Sequence, residues 1–290
     1  MDRIVVGVDT SASGAAAVRW ALTEAVSLRV PLLAVRAWSP TVWAEGYAVA
    51  PLGVGGDAPE QQAAQDLADE QLSLACSAVE GADEVDCRAT ALMGSPSQVL
   101  VDAGGARGSS VLLVVGTRGH GALSRLVLGS TSSSVLHHST TSVVVVPEPE
   151  PPQPEPPRVL VGVDHSPESL AALDVATAWA IRRGVPLVPV VVHPSLVAVF
   201  GSTATGDPTV RATVERDLLL TAATAAGAPA AQVHPEVLAG QTAAALVELA
   251  RPQDLLVLGS RGRGGFTSLL LGSTSTQCVQ HAPCPVWVVR

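Results

Sequence analysis

Residues 4–11 read Ile4-Val5-Val6-Gly7-Val8-Asp9-Thr10-Ser11, and the pattern returns as Val159-Leu160-Val161-Gly162-Val163-Asp164-His165-Ser166, displaced by 155 residues. Each stretch is a short β-branched apolar run that ends on Gly, Asp and Ser. It reads as a buried strand delivered to the start of a helix. Working outward, Val30-Pro31-Leu32 returns as Val185-Pro186-Leu187 at the same displacement. Val115-Gly116-Thr117-Arg118-Gly119 returns as Leu258-Gly259-Ser260-Arg261-Gly262, displaced by 143. The chain is therefore an internal repeat, and the second copy is shorter by twelve residues lost between these landmarks.

Between the copies, residues 147–157 read PEPEPPQPEPP. Prolines at this density enter neither a helix nor an inner strand, so an extended polyproline-II spacer is expected. It would reach about 34 Å at about 3.1 Å per residue. The expected organisation is one domain over 1–147, a Pro/Glu-rich linker over 148–157 and a second domain over 158–290.

Each copy reads as five strands alternating with four helices. In the first, strands are expected near 3–9, 31–37, 85–92, 111–116 and 143–146. Helices are expected near 13–29, 59–80, 96–106 and 130–138, with a long loop before the second. Short apolar runs alternating with helices imply a parallel sheet covered on both faces. Ligands of such sheets bind beyond the carboxyl ends of the strands, where the strand order reverses. The last strands, 142–146 and 286–289, are short, apolar and at a sheet edge, a liability unless paired. They are expected to pack against each other as a pseudo-twofold pair, with a further homodimer left open.

Composition narrows the function. Among 290 residues, 47% are hydrophobic and only 3% aromatic, with the apolar content in Val, Leu and Ala. That suits buried parallel strands under Ala-rich helices. The net charge of −9 argues against nucleic acid as a partner. All seventeen basic residues are Arg, so no Walker lysine, kinase lysine or Schiff-base lysine exists here. No apolar run is long enough to span a membrane. The strand-like start leaves no room for a signal peptide, so a cytoplasmic location is expected. Cys76, Cys87, Cys278 and Cys284 form no CxxC pair, and the histidines form no HExxH pattern, so no protein metal cluster is expected.

The chemistry concentrates after the fourth strand of each copy. Gly116-Thr117-Arg118-Gly119 is followed nine residues later by Gly129-Ser130-Thr131. Gly259-Ser260-Arg261-Gly262 is followed at the same spacing by Gly272-Ser273-Thr274. Early glycines permit positive φ and bring backbone N–H groups close to an anion. The second glycine opens a helix whose free N–H groups favour phosphate. The competing reading makes the glycines simple turns and Ser130 an N-cap. Two copies with one spacing and an Arg in each favour a polyphosphate ligand.

The pattern G-x2-G-x9-G-S, with V-G-V-D-x-S on the first strand, resembles the universal stress protein family in its ATP-binding tandem form. Arg261-Gly262-Arg263-Gly264-Gly265-Phe266 and His281-Ala282-Pro283-Cys284-Pro285-Val286 carry the same resemblance. It implies two tandem Rossmann-like, adenine nucleotide α-hydrolase-like, doubly wound domains, each holding ATP, with Mg as an accompanying ion. Asp9 and Asp164, after Gly7 and Gly162, would lie near the nucleoside. Backbone at Ala37 and Val192 would meet adenine, and the glycine loops, including His120 and Gly121, would hold phosphates. Copy one carries His120 and Ala122 where copy two carries Arg263 and Gly265, so its site would be tuned differently.

Asp9 and Asp164 have a competing structural role in supporting the caps of the next helices, together with Ser11 and Ser166, but the ligand role is favoured. Trp38, Trp43 and Tyr47 could cover the nucleotide or simply pack. The expected function is a nucleotide-regulated stress or signalling protein. Slow ATP hydrolysis, a ligand-free interaction module and a dinucleotide oxidoreductase are the alternatives. Nothing in the sequence supplies a positioned general base. G-x-G-x-x-G is absent after strand one.

Overall fold

A computed structural model of the chain describes residues 1–40, 59–106, 108, 110–117, 128–151, 153–193, 208–262 and 271–290. The first repeat runs β1 (Arg3–Gly7), α1 (Ala12–Leu28), β2 (Leu32–Trp38), α2 (Pro59–Ala78), β3 (Cys87–Met93), α3 (Pro96–Gly104), β4 (Val111–Gly116), α4 (Ser130–His138) and β5 (Val143–Val146). The second runs β6 (Val159–Gly162), α5 (Pro167–Arg183), β7 (Leu187–His193), α6 (Pro208–Ala225), β8 (Glu236–Ala239), α7 (Thr242–Leu249), β9 (Leu255–Gly259), α8 (Ser273–His281) and β10 (Val286–Val289). The alternation expected from the apolar runs is present, and in the first repeat no boundary moves by more than two residues. A 3-10 turn also precedes β3 and β8.

The strands form one ten-stranded sheet in the order β3-β2-β1-β4-β5-β10-β9-β6-β7-β8. Every pairing is parallel except β5 with β10, which is antiparallel with Trp287 opposite Val144. The last strands thus meet as their edge character demanded, each hiding the other's open ladder. Within each repeat the order β3-β2-β1-β4-β5 reverses between β1 and β4, and β6 and β9 repeat this in the second. A loop leaving β1 turns one way and a loop leaving β4 the other, which opens a crevice at their carboxyl ends.

Two apolar layers sandwich the sheet, and both run through the two repeats. One holds Ile4, Val6, Leu22, Leu112, Val144, Leu173, Val257 and Trp287 under α1, α2, α5 and α6. The other holds Val5, Val35, Leu113, Leu136, Leu256, Cys278 and Val288 under the remaining helices. Strands with both faces covered read as continuous apolar runs, as Val143–Val146 does.

Helix ends follow local chemistry. Ser11 and Ser166 have extended backbone, and their hydroxyls accept from Gly14 N at 3.0 Å and Ser169 N at 3.2 Å. At the other ends, Arg29 and Gly184 occupy the left-handed region and close their helices. Gly94 (φ 143°) and Gly240 (φ 134°) make the turns that leave β3 and β8. Their N–H groups donate to Trp38 O and His193 O at 2.9 and 2.8 Å.

The segment between β5 and β6 lies along the second repeat rather than hanging free. Gln253 accepts from Gln153 N at 3.2 Å and donates to Glu155 O at 2.9 Å.

Candidate functional site at the strand-order reversal

Asp9 leaves β1 at the reversal point of repeat one, and its Oδ1 accepts from Ser11 N at 3.0 Å and Ser11 Oγ at 2.5 Å. Asp164 makes the same bonds to Ser166 N and Oγ at 3.0 and 2.5 Å. Each aspartate therefore braces the serine that caps the following helix. The structural role weighed for these residues is real, and it occupies one carboxylate oxygen.

The other wall comes from β4 and β9. Thr117 N donates to Val146 O at 2.9 Å and Ser260 N to Val289 O at 2.9 Å, which continues the ladder. Gly129 N then returns to Thr117 O at 2.8 Å, and Gly272 N to Ser260 O at 2.7 Å. Each loop is thus pinched shut at its base, which holds the N-terminus of α4 or α8 beside the strand end. A second fastening comes from Ser132 Oγ to Gly116 O at 2.5 Å and Ser275 Oγ to Gly259 O at 2.8 Å. Sequence reasoning missed these serines, because a serine in the first turn of a helix reads as a cap. The actual N-caps are Gly129 and Gly272, with Ser130 and Ser273 already helical.

The glycines divide by purpose. A side chain at Gly7 would stand 2.9 Å from Leu100 Cδ1, and one at Gly162 would stand 2.7 Å from Leu258 Cδ2. A Cβ on Gly116 would lie 2.8 Å from Ser13 C, and one on Gly259 would lie 2.8 Å from Glu168 C and O. These four glycines serve close packing, the latter two letting α1 and α5 press against the sheet. Gly262 differs, because a Cβ there would run into the Asp164 carboxylate. The loop backbone of repeat two therefore lies directly against its strand-one aspartate. None of Gly116, Gly129, Gly259, Gly262 and Gly272 adopts positive φ, contrary to the expectation from loop glycines. Contact distance, not left-handed backbone, is what Gly116, Gly259 and Gly262 require.

Arg118, Gly119, His120, Gly121, Arg263, Gly264 and Gly265 lie outside the described residues, as do Ala122, Phe266, Trp43 and Tyr47. Ala37 and Val192 sit near the ends of β2 and β7, half-buried, in register with Leu92 and Leu238. Trp38 is the last residue of β2. Thr131 and Thr274 lie in the first turns of α4 and α8.

The electrostatics of the repeats differ. In repeat two, Arg261 Nε lies 3.8 Å from Glu168 Oε1 in the first turn of α5, while α1 has no acid in its first turn. Burial, and then the charge of Arg261, lowers the pKa of the Arg290 guanidinium. His165 takes φ 62°, rare for a non-glycine residue. Its Nε2 lies 3.2 Å from Glu215 Oε2, and His193 Nε2 lies 3.7 Å from Glu215 Oε1. This His-Glu-His group beside the β6 and β7 ends was invisible in sequence, since 50 residues separate His165 from Glu215. Its only signal is that copy one has Thr10 and Trp38 where copy two has His165 and His193.

Thr117 Oγ1 is buried with no hydrogen-bond partner among the described residues. No group of three His, Cys, Asp or Glu suited to a metal ion occurs among them either. The four cysteines are free. Burial pushes the Cys87 and Cys278 thiols up to about 11 and about 12.

The universal stress protein family model matches residues 1–147 and 156–290, that is, both repeats. The chain belongs to the universal stress protein family. A universal stress protein of Mycolicibacterium smegmatis is 37% identical over 295 residues, covering 99% of this chain and 96% of that protein. One of Mycobacterium tuberculosis is 34% identical over 297 residues, with 99% and 96% covered. A crystal structure of an Archaeoglobus fulgidus universal stress protein aligns with a TM-score of 0.65 at 22% identity. It covers 100% of this chain and 96% of its own, and confirms the two-repeat universal stress protein fold. No helix among the described residues is long and apolar enough to cross a membrane.

Proposed function

We propose that this universal stress protein binds one adenine nucleotide in each repeat, with ATP held as a regulatory ligand. The observation that carries the reading is the crevice built twice at the strand-order reversal. There an aspartate leaves the first strand (Asp9, Asp164), a loop is pinched at its base and a helix N-terminus stands beside the strand end; in repeat two Gly262 lies against Asp164. An Arg enters each loop from the sequence, and Arg261 is positioned in repeat two.

The residues fit a nucleotide in two respects. Gly262 lets the loop backbone approach the Asp164 carboxylate more closely than any residue with a side chain could. Thr117 Oγ1, buried and unbonded among the described residues, offers a polar atom at the mouth of the loop. Helix N-terminal N–H groups and an Arg are the donors suited to phosphate in a protein without lysine. The Asp carboxylates suit nucleoside hydroxyls as acceptors. Magnesium, when bound, would neutralise phosphate charge, with the ligand's own oxygens supplying most of its donors.

Regulation rather than turnover is the better reading of the same geometry. Asp9 and Asp164 are engaged in holding the Ser11 and Ser166 caps and are poorly suited to serve as general bases. A soluble regulatory protein of the cytoplasm, without nucleic-acid partners, is consistent with the net charge of −9.

Isothermal calorimetry with ATP, ADP, GTP and cyclic nucleotides tests the proposal. Two ATP per chain, with weaker response to GTP, is the expected result. Heat absent for every adenine nucleotide overturns it, and saturation at one ATP per chain overturns the two-site form.

A further inference from the structure

The contact between α1 and α5 is asymmetric at the place where symmetry should rule. With a displacement of 155 residues, Glu24 corresponds to Trp179, and Ser27 corresponds to Arg182. These corresponding residues touch each other: Trp179 Nε1 donates to Glu24 Oε2 at 3.0 Å, and Arg182 Nε donates to Ser27 Oγ at 3.0 Å. Residues that meet their own counterparts lie on the pseudo-twofold axis. The same holds below them in the sheet, where Val144 of β5 stands opposite its counterpart Trp287 of β10.

Glu24 is fully buried, and repeat two supplies its partners. Arg182 Nη2 bonds Glu24 Oε1, and Arg183 Nη2 bonds Oε2 at 3.0 Å. Arg183 also bonds Thr23 O at 3.2 Å and lies over the Trp179 ring, 5.3 Å from its centre. Trp20 meets Trp287 edge to face at 6.2 Å between ring centres.

We propose that this interface accepts unlike repeats only: the α1 face of repeat one pairs with the α5 face of repeat two, and neither pairs with a second copy of itself. The reason follows from the axis. Two copies of repeat one would bring Glu24 against Glu24, with no Arg or indole donor at the counterpart positions. Two copies of repeat two would bring Arg182 against Arg182, each flanked by Arg183, with no carboxylate between them. Like charges on a buried axis are strongly disfavoured, because a buried ion without its counter-ion loses hydration for nothing. A neutral seam would tolerate all three pairings; this one discriminates among them. The apolar edges of β5 and β10 could pair with any apolar strand, so the selectivity lies in the helices and not in the ladder.

Two experiments test the proposal. In the first, a protease site is placed within residues 148–157 of the full chain, and the folded protein is cut. Cut protein tagged on repeat one is exchanged with untagged cut protein, and the pairs are counted by native mass spectrometry. Unlike pairs should exceed nine in ten; like pairs near the random share of about one half would overturn the proposal. In the second, the uncut chain is used, so reassociation is not needed. Glu24→Arg should lower the melting temperature, and adding Arg182→Glu with Arg183→Glu should recover at least half of that loss. A triple variant no more stable than Glu24→Arg alone would overturn the proposal, since the charges would then not be the discriminating feature.

Discussion

A methyl group at Gly262 has nowhere to go except into the Asp164 carboxylate. Because Gly262 does not hold positive φ, Gly262→Ala adds no backbone strain, and because it lies in a loop, the core is untouched. The expected outcome is a loss of at least tenfold in ATP affinity at repeat two, equivalent to about 1.4 kcal/mol. The ligand-free melting temperature should stay within a few degrees of wild type. Wild-type affinity would remove Gly262 from the site, and a collapse in melting temperature would make it a folding glycine. Glu168→Ser argues in the opposite direction. The Arg261–Glu168 pair is more than a third exposed on both sides, so it contributes little stability. It does engage Arg261, the arginine that opens the glycine loop of repeat two. Removing the carboxylate should raise repeat-two ATP affinity several-fold in a calorimetric titration while repeat one is unchanged. Unchanged affinity at repeat two would show that Arg261 does not face the phosphates.

At the scale of elements, the sequence was most legible where chemistry is local. Apolar runs of four to seven residues bounded by Gly and Asp gave the strands. Ser11 and Ser166 announced helix starts, and equal spacing of Gly116, Gly119 and Gly129 with Gly259, Gly262 and Gly272 announced the loops. Reading failed where partners are distant or one residue type has two uses. Glu24 looks like any solvent-facing residue of an amphipathic helix until α5 is laid beside it. Gly116 and Gly259 look like phosphate glycines, yet they yield room to the backbone of α1 and α5. One mismatch between the repeats gives a prediction at this scale. Helix α5 ends on Gly184 at φ 65°, while α1 ends on Arg29 at φ 53° in the equivalent position. A left-handed residue with a Cβ costs roughly 1–2 kcal/mol, which glycine avoids at some cost in chain entropy. Arg29→Gly should therefore stabilise the protein by about 0.5–1 kcal/mol in urea unfolding, although glycine destabilises helix interiors. A midpoint at or below wild type would show that the Arg29 side chain contributes more than its conformation costs.

For the whole molecule, the decisive feature is continuity. Ten strands form one sheet, and each apolar layer contains residues of both repeats, so no plane separates two independent cores. Domains joined only by a tether unfold separately, whereas elements sharing a core lose their stability together. Trp287 is the test residue because it is buried in the second repeat, opposite Val144 of the first and against Trp20 of the first. Wild-type protein should melt in a single calorimetric transition whose van't Hoff and calorimetric enthalpies agree. Trp287→Ala, which removes a large core aromatic, should cost about 3–5 kcal/mol and shift that single transition downward as a unit. Were the repeats energetically separate, the same substitution would split the melt, lowering the transition of the second repeat and leaving that of the first in place. Saturating ATP should likewise raise the whole transition, because a ligand bound to either repeat stabilises everything that unfolds with it. Two resolved transitions in the wild-type scan would contradict the continuous core, and with it the argument that the buried contacts of Glu24 and Trp287 bind the halves into one folding unit.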